Sequence, residues 1–422
     1  MQQKAHARTI LFLSNGYGED TVGARIAQSV QALAGSRLRP VAFPIVGAGD
    51  PYRLVGIPVI GPRAHLPSGG FGYLNIRNAV KDVLAGSVGM ALRQLQFAWR
   101  HRDEWDAVVG VGDKVSLHLN HRILRKPMIW VAIAYSIRCV PPGGRFGHPW
   151  LWRPVLDEEI EAFVRDAETR AALEAMGYPC PYVGSPMRDG LDPNPAVRRK
   201  VEVALQASGW DGSSPVVALL PGSRKDAFLN LRHQLEVFRI LHSQSGGHVA
   251  GIVAWAPPDA GGALTDALRE GGWELQGGAR RCDREWRAAR GEGVAVPAHA
   301  GKKGPAVPIV REAFPEVLDV CSIVLGQAGT AVKQAAGLGK PAVTFPGAGT
   351  QATPRFLTVQ ARLLRGAVTV SDPVPEAVAR EVMAILSDPE RYQAMAEVGR
   401  RLMGEPGATD AIARRIVERF AF

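Results

Sequence analysis

The sequence predicts an α/β protein made of two doubly wound, Rossmann-like domains. Three observations predict it. Short apolar runs that end in glycine turns alternate with helical patterns along most of the chain, which argues for parallel sheets with helices on both faces. This alternation stops at Asp192-Pro-Asn-Pro195 and then restarts. The chain also has 422 residues, too many for one ordinary core and suited to two domains of roughly 200 residues each. The predicted limits are 1–190 for the first domain and 191–385 for the second. Residues 386–422 form C-terminal helices that are free to pack back on the first domain.

In order along the chain, Thr9-Ile-Leu-Phe-Leu-Ser14 reads as a buried strand, followed by the loop Asn15-Gly16-Tyr17-Gly18-Glu19-Asp20. Val22, Ile26, Val30 and Leu33 then recur at helical spacing. Pro40–Val46, Ala107–Gly112 and Pro127–Ala134 are further strands, with a helical pattern at Met90–Arg100. The first half ends at Tyr182-Val-Gly-Ser-Pro186. In the second half the clearest strands are Pro215–Leu220, Val249–Trp255, Ser322–Leu325 and Pro341–Phe345. Gly277–Pro308 is rich in Gly, Arg, Ala and Pro and reads as an irregular insertion. Gly404-Glu-Pro-Gly407 separates the last two helices. Two such domains facing one another leave a cleft at the carboxyl ends of both sheets, where open α/β sheets bind ligands.

Composition excludes several classes. Apolar content is 46% and charged content 21%, ordinary for a globular protein. No run approaches the ~20 apolar residues of a membrane span, and no signal-peptide pattern is visible, so a cytoplasmic location is expected. Cys139, Cys180, Cys282 and Cys321 form no C-x-x-C pair and read as reduced. The ten histidines form no metal-binding motif. The formal net charge is +10, in scattered groups such as Arg100-His-Arg102 and His121–Lys126. No nucleic-acid motif accompanies them. They read as a solvated basic surface or as an electrostatic foot on an anionic membrane. Leu66–Leu74, beside the Met90–Trp99 helix, reads as core or as a lipid-facing lip.

Two glycine loops carry the chemistry of the second half. Pro221-Gly222-Ser223-Arg224 and Gly326-Gln327-Ala328-Gly329-Thr330 each follow a strand and open a helix. Such turns gather unpaired N–H groups and the positive end of a helix dipole. Two of them imply a ligand with a diphosphate, as in a sugar nucleotide. Gly222 allows close approach, Ser223 donates a hydroxyl and Arg224 offers a forked pair of donors; the alternative is a plain turn with a surface arginine. Gln334, four residues after Thr330, shares its helix face and can reach a ribose, or it is a solvated side chain. Phe345-Pro-Gly347-Ala-Gly349-Thr350-Gln351 is a third loop, placed for a sugar or base or simply a turn.

In the first half, Asn15–Asp20 carries only part of a dinucleotide fingerprint. Glu19 and Asp20 read as acceptor ligands, a general base, or, for Asp20, a helix cap. Gly110-Val-Gly112-Asp113-Lys114 ends a strand at the same edge. Asp113 reads as a base, a helix cap or a partner of Lys114.

These segments resemble lipid-A-disaccharide synthase, and more closely the branch described as lipid-A-disaccharide synthase-related. At longer range the chain is similar to the transferase that adds N-acetylglucosamine to the lipid-linked peptidoglycan precursor. The carrying residues are Asp20-Thr-Val-Gly23-Ala24, Val46-Gly-Ala-Gly49, Tyr182–Pro186, Leu220-Pro-Gly-Ser-Arg224, and Ala328-Gly-Thr-Ala331 with Pro341. The family has Glu where Gln334 stands, and I-D-A-P-D-F where Val111-Gly-Asp113-Lys-Val-Ser stands. The resemblance implies a GT-B type, metal- and cofactor-independent hexosyltransferase. It would move an amino sugar from a UDP-sugar to a lipid-linked or phosphorylated sugar acceptor, at the inner face of the membrane. A UDP-sugar 2-epimerase and a non-catalytic nucleotide-sugar-binding protein share the scaffold. The implied donor residues are Gly222, Ser223, Arg224, Gln327, Gly329, Thr330, Gln334, Gly347 and Gln351. Asn15, Gly16 and Tyr17 are implied for the acceptor, and Asp113, or Asp20 with Glu19, for the base.

Overall fold

The structure is a computed structural model that describes residues 7–63, 87–140, 159–257, 261–276, 294–300 and 304–421. The chain divides into two compact units: Met1–Asp189 with Met403–Phe422, and Gly190–Leu402.

The first unit holds a five-stranded parallel sheet in the order β2-β1-β3-β4-β5. Its strands are β1 (Arg8–Ser14), β2 (Leu38–Pro44), β3 (Ala107–Val111), β4 (Met128–Ala132) and β5 (Ile160–Val164). Its helices are α1 (Tyr17–Ala34), α2 (Asp50–Leu54), α3 (Ser87–His101), α4 (Lys114–Leu119), α5 (Ala167–Glu174) and, from the far end of the chain, α14 (Ala408–Phe420). The continuous apolar runs follow from burial on both faces. Along β1, Ile10 and Phe12 join a core with Ile26 and Val30 of α1 and Ile412 and Ile416 of α14. Leu11 and Leu13 point the other way, toward Ala98, Trp105 and Leu117. The Asp189 carboxylate fastens α14 by accepting from Gly407 N at 2.7 Å and Thr409 N at 2.6 Å.

The second unit holds an eight-stranded sheet in the order β13-β12-β11-β6-β7-β10-β9-β8. The parallel part comprises β6 (Val216–Leu220), β7 (Ala250–Ala254), β10 (Ala306–Arg311), β11 (Ile323–Gly326), β12 (Ala342–Thr344) and β13 (Val368–Val370). Its helices are α6 (Pro195–Ala207), α7 (Ala227–Gln244), α8 (Gly261–Glu270), α9 (Phe314–Val320), α10 (Gly329–Gly337), α11 (Pro354–Leu364), α12 (Pro375–Leu386) and α13 (Pro389–Met403). Leu231, Leu235 and Phe238 of α7 and Val378, Val382 and Ile385 of α12 share one core with Val217, Leu219 and Leu325 of the sheet. Helix α13 lies mostly in this unit and α14 in the other.

One segment differs from the sequence reading. Part of the supposed irregular insertion is regular: β9 (Val294–His299) runs antiparallel to β10 and also pairs with β8 (Glu274–Leu275). Pro297 and Pro308 mask the strand pattern, because proline removes a ladder donor. In the sheet these two prolines stand opposite each other, which confines the missing donors to one position.

Candidate functional site

Each sheet reverses its strand order at one point, and the glycine loops lie there. In the second unit the chain runs from β6 to β7, on to the edge strand β8 and back through β9 to β10, then crosses to the other side of β6 with β11, β12 and β13. The loops after β6 and β11 therefore leave neighbouring strands at the switch point, where open α/β sheets bind ligands. In the first unit, β1 and β3 flank the equivalent point.

In the second unit, Gly222 has φ +119°, a backbone region closed to most side chains. Ser223 is exposed and Arg224 partly so. Arg224 Nη1 donates to Thr350 Oγ1 at 3.3 Å, which joins the first and third loops. Gly329 begins α10 at the carboxyl end of β11, and its N–H donates to Gln351 Oε1 at 3.2 Å. An amide oxygen thus holds the position that suits an anion. Thr330 is partly exposed. Gln334 lies on the same helix and is only 9% exposed. Gln327 is buried: its Oε1 accepts from Gln234 Nε2 at 3.3 Å and its Nε2 donates to Phe345 O at 3.5 Å. A Cβ on Gly347 would collide with that Gln327 amide, so glycine there is a packing requirement.

Two supporting residues escaped the sequence reading. Asn230 of α7 donates through Nδ2 to Pro221 O and Ala348 O, both at 3.1 Å, and accepts from Ala348 N at 2.8 Å. It staples the first loop to the third. Gln360 of α11 donates to Gly329 O at 3.1 Å from a buried position. The available signal was polar residues inside helical apolar stripes, such as Asn230 and Gln234 between Ala227, Leu231 and Leu235.

In the first unit, Asn15 organises two carboxylates. Its N–H donates to Glu19 Oε2 at 2.8 Å and its Nδ2 donates to Asp113 Oδ2 at 2.7 Å. Asp113 also caps α4, accepting from Val115 N at 2.8 Å. Burial raises its pKa; the Val115 N–H, the Asn15 amide and Lys114 pull the other way. Gly112 has φ +113°, and a Cβ there would strike the Glu19 carboxylate. Glu19, Asn15 and Asp113 are partly exposed, so a ligand at this edge meets two carboxylates bracketing one amide.

Asp20 does not play the capping role its position suggested. The N-cap of α1 is Gly16, without a side-chain cap bond, so Asp20 is not a helix cap. It is fully buried behind the loop. Ser14 Oγ donates to Asp20 Oδ1 at 2.6 Å, and Tyr52 OH donates to Ser14 Oγ at 3.2 Å. Asp20 Oδ2 has no hydrogen-bond partner. Burial pushes the carboxyl up to about 7, with the Ser14 hydroxyl lowering it and Asp50 raising it further. The Tyr52 phenol, also buried, is driven well above its usual range. Asp20 is thus a largely neutral acid below about pH 6 and about half ionised near pH 7, a half-filled hydrogen-bond site under the loop. The Tyr17 side chain and the Leu66–Leu74 segment lie outside the described residues. Among the described residues, no three His, Cys, Asp or Glu side chains converge as a metal site, and no helix is long and apolar enough to cross a membrane.

No family model matches the chain, and no curated protein matches its sequence. Solved structures do match it over nearly its whole length. A candidate UDP-N-acetylglucosamine 2-epimerase from Listeria monocytogenes superposes with a TM-score of 0.58 at 12% identity, covering 98% of this chain and 97% of that one. The S. aureus protein MnaA with UDP gives 0.57 at 12% identity, covering 98% and 96%. The UDP-GlcNAc 2-epimerase from Neisseria meningitidis bound to UDP-GlcNAc gives 0.50 at 13% identity, covering 97% and 100%. At these identities the likeness is one of fold, and it establishes the two-unit GT-B type.

Proposed function

We propose that this chain is a UDP-sugar enzyme that breaks the bond between UDP and the anomeric carbon. The observation that carries the reading is the pair of glycine loops at the β6/β11 switch point, with the α10 N-terminus and Arg224 beside it. We assign Gly222, Ser223, Arg224, Gly329 and Thr330 to the diphosphate. Gln351 closes the α10 N-terminus until a phosphate displaces it. Gln334 is assigned to the ribose, and Gly347 to the turn that brings the third loop near. Departure of UDP puts charge on the diphosphate, which Arg224 and the helix dipole stabilise. Asp113 and Glu19 supply proton transfer, and Asn15 and Gly16 line the place of the sugar or acceptor.

Two fates of the sugar fit. Inverting C2 removes that carbon's proton as UDP leaves C1, which forms a C1–C2 double bond; the proton then returns to the opposite face of C2 as UDP re-adds at C1, hence two acid/base groups, and Asp113 and Glu19 supply two. The full-length likeness to UDP-GlcNAc 2-epimerases supports this fate, and we place it first. Transfer to a lipid-linked or phosphorylated sugar needs a single base. The order and spacing of Leu220–Arg224, Ala328–Ala331 and Tyr182–Pro186 support that second reading, with a hexosyltransferase of the lipid-A-disaccharide synthase kind. The test is calorimetric titration with UDP, GDP and ADP, then incubation with UDP-N-acetylglucosamine with and without a lipid-linked sugar. A C2 epimer formed without acceptor supports the first fate. UDP release only with acceptor supports the second. Tight UDP binding with neither product makes the chain a binding protein, and failure to bind any nucleotide refutes the whole assignment.

A further inference from the structure

We propose that the carboxyl ends of β4 and β5, in the first unit, form a binding site for a phosphate group, with Arg165 at its centre. Arg165 directly follows β5 and is only 4% exposed. A guanidinium carries several N–H donors in a fixed fork and keeps its charge in proteins. Among the described residues Arg165 spends one of them: Nη1 donates to Ile133 O, just past β4, at 2.8 Å. No carboxylate among those residues lies within ion-pair distance of it. Its remaining N–H groups are not sealed off by protein. Burial lowers its pKa, the mark of a cation taken out of water without full compensation. A buried charge is costly unless it is paired. An arriving anion supplies the missing pair.

The surroundings suit such an anion. Arg138 and Tyr182 stand around Arg165. The Arg138 side chain is 6% exposed, with Glu168 3.5 Å from its Nε. Its turn, Ile137–Cys139, is tied to α5 by the Ile137 N–H, which donates to Thr169 Oγ1 at 3.0 Å. Tyr182 is partly exposed, and its hydroxyl has no hydrogen-bond partner among the described residues. The nearby acid Asp166 does not neutralise Arg165 by contact. Its Oδ1 is spent as the cap of α5, accepting from Thr169 N at 2.8 Å and Thr169 Oγ1 at 2.7 Å. Two guanidinium forks and a phenol fit a phosphate, whose oxygens accept several charged hydrogen bonds at once.

This site is separate from the glycine loops of the second unit and from Asp113. In the sheet β4 lies between β3 and β5, so at ~4.8 Å per strand the site is about 10 Å along the edge from Asp113. It belongs to the same edge of the sheet but not to the same group of a ligand.

The test is calorimetric titration of the whole chain with inorganic phosphate at fixed ionic strength, in an Arg224→Ala background. That background removes the competing claim of the nucleotide loop. Phosphate should still bind. Adding Arg165→Met should weaken it about 10- to 100-fold, and adding Tyr182→Phe about 2- to 10-fold. Without phosphate, Arg165→Met should be as stable as its parent or more so, because it removes an unpaired buried charge. A purely structural arginine predicts the reverse: lost stability with phosphate affinity unchanged. Glucosamine 1-phosphate as a second probe separates the sources of the anion. Binding tighter than that of inorganic phosphate, and lost with Arg165→Met, assigns the site to a phosphorylated sugar; equal binding assigns it to phosphate itself. UDP affinity should be unchanged by Arg165→Met alone, so a failure of the nucleotide reading would show separately, as a chain that binds phosphate through Arg165 but no UDP. Absence of phosphate binding in the Arg224→Ala background, or equal affinity with and without Arg165→Met and Tyr182→Phe, overturns the proposal.

Discussion

Replacing Asp20 by Asn tests the physical state of the site most directly. The carboxyl titrates near 3.8 in an open chain and is pushed up to about 7 in the fold. Between these values the folded protein keeps a proton that the unfolded chain has released. Stability therefore falls as pH rises through this window and levels off above it. About three pKa units at about 1.36 kcal/mol each give at most ~4 kcal/mol lost between pH 4 and 8. Asn is the same size as the neutral acid and does not ionise. It also puts an N–H₂ or carbonyl where Oδ2 has no partner. Asp20→Asn should match wild type near pH 4 and exceed it by ~2–4 kcal/mol at pH 8. Urea unfolding of both proteins at the two pH values measures this, followed by tryptophan fluorescence of the first unit. Equal stability differences at pH 4 and pH 8 would refute the reasoning, because they would mean Asp20 ionises freely inside the fold.

The other predictions concern the nucleotide and the base. Arg224→Ala should weaken UDP binding ~10- to 100-fold, as expected for loss of a charged hydrogen-bond donor, and Arg224→Lys should restore little because the fork is lost; unchanged calorimetric affinity would remove the loop from the site. Gln351→Ala frees the Gly329 N–H, so UDP should bind no more weakly than to wild type; a tenfold loss would place Gln351 on the nucleotide itself. Asp113→Asn keeps the cap on α4, since Asn caps as well as Asp, and should cut turnover at least 100-fold with little change in UDP affinity. Burial raises the Asp113 pKa, so the acid limb of the wild-type rate profile should lie above the usual aspartate range and disappear in this variant.

Much of the fold was legible because parallel strands buried on both faces are written as continuous apolar runs. Leu11–Leu13 and Val108–Val111 show this plainly, and glycines with positive φ, such as Gly112 and Gly222, mark where the chain must turn. The prolines of β9 and β10 hid two strands, since their pairing across the ladder is a long-range fact that no local window contains.

For the site, the sequence by itself determined that glycine loops follow strands and that Ser223, Arg224, Glu19 and Asp113 stand on them. Those are local properties of a strand, a turn and the first helical turn. Only the tertiary structure decided which loops are neighbours, because strand order is set by packing of distant segments. It alone buried Asp20 beneath Ser14 and Tyr52, since desolvation depends on every element that closes over a group. It also joined Asn230 to Ala348 and turned the apolar face of α3 outward at Leu92 and Trp99, because whether a helical stripe is core or surface depends on what else the chain can lay against it.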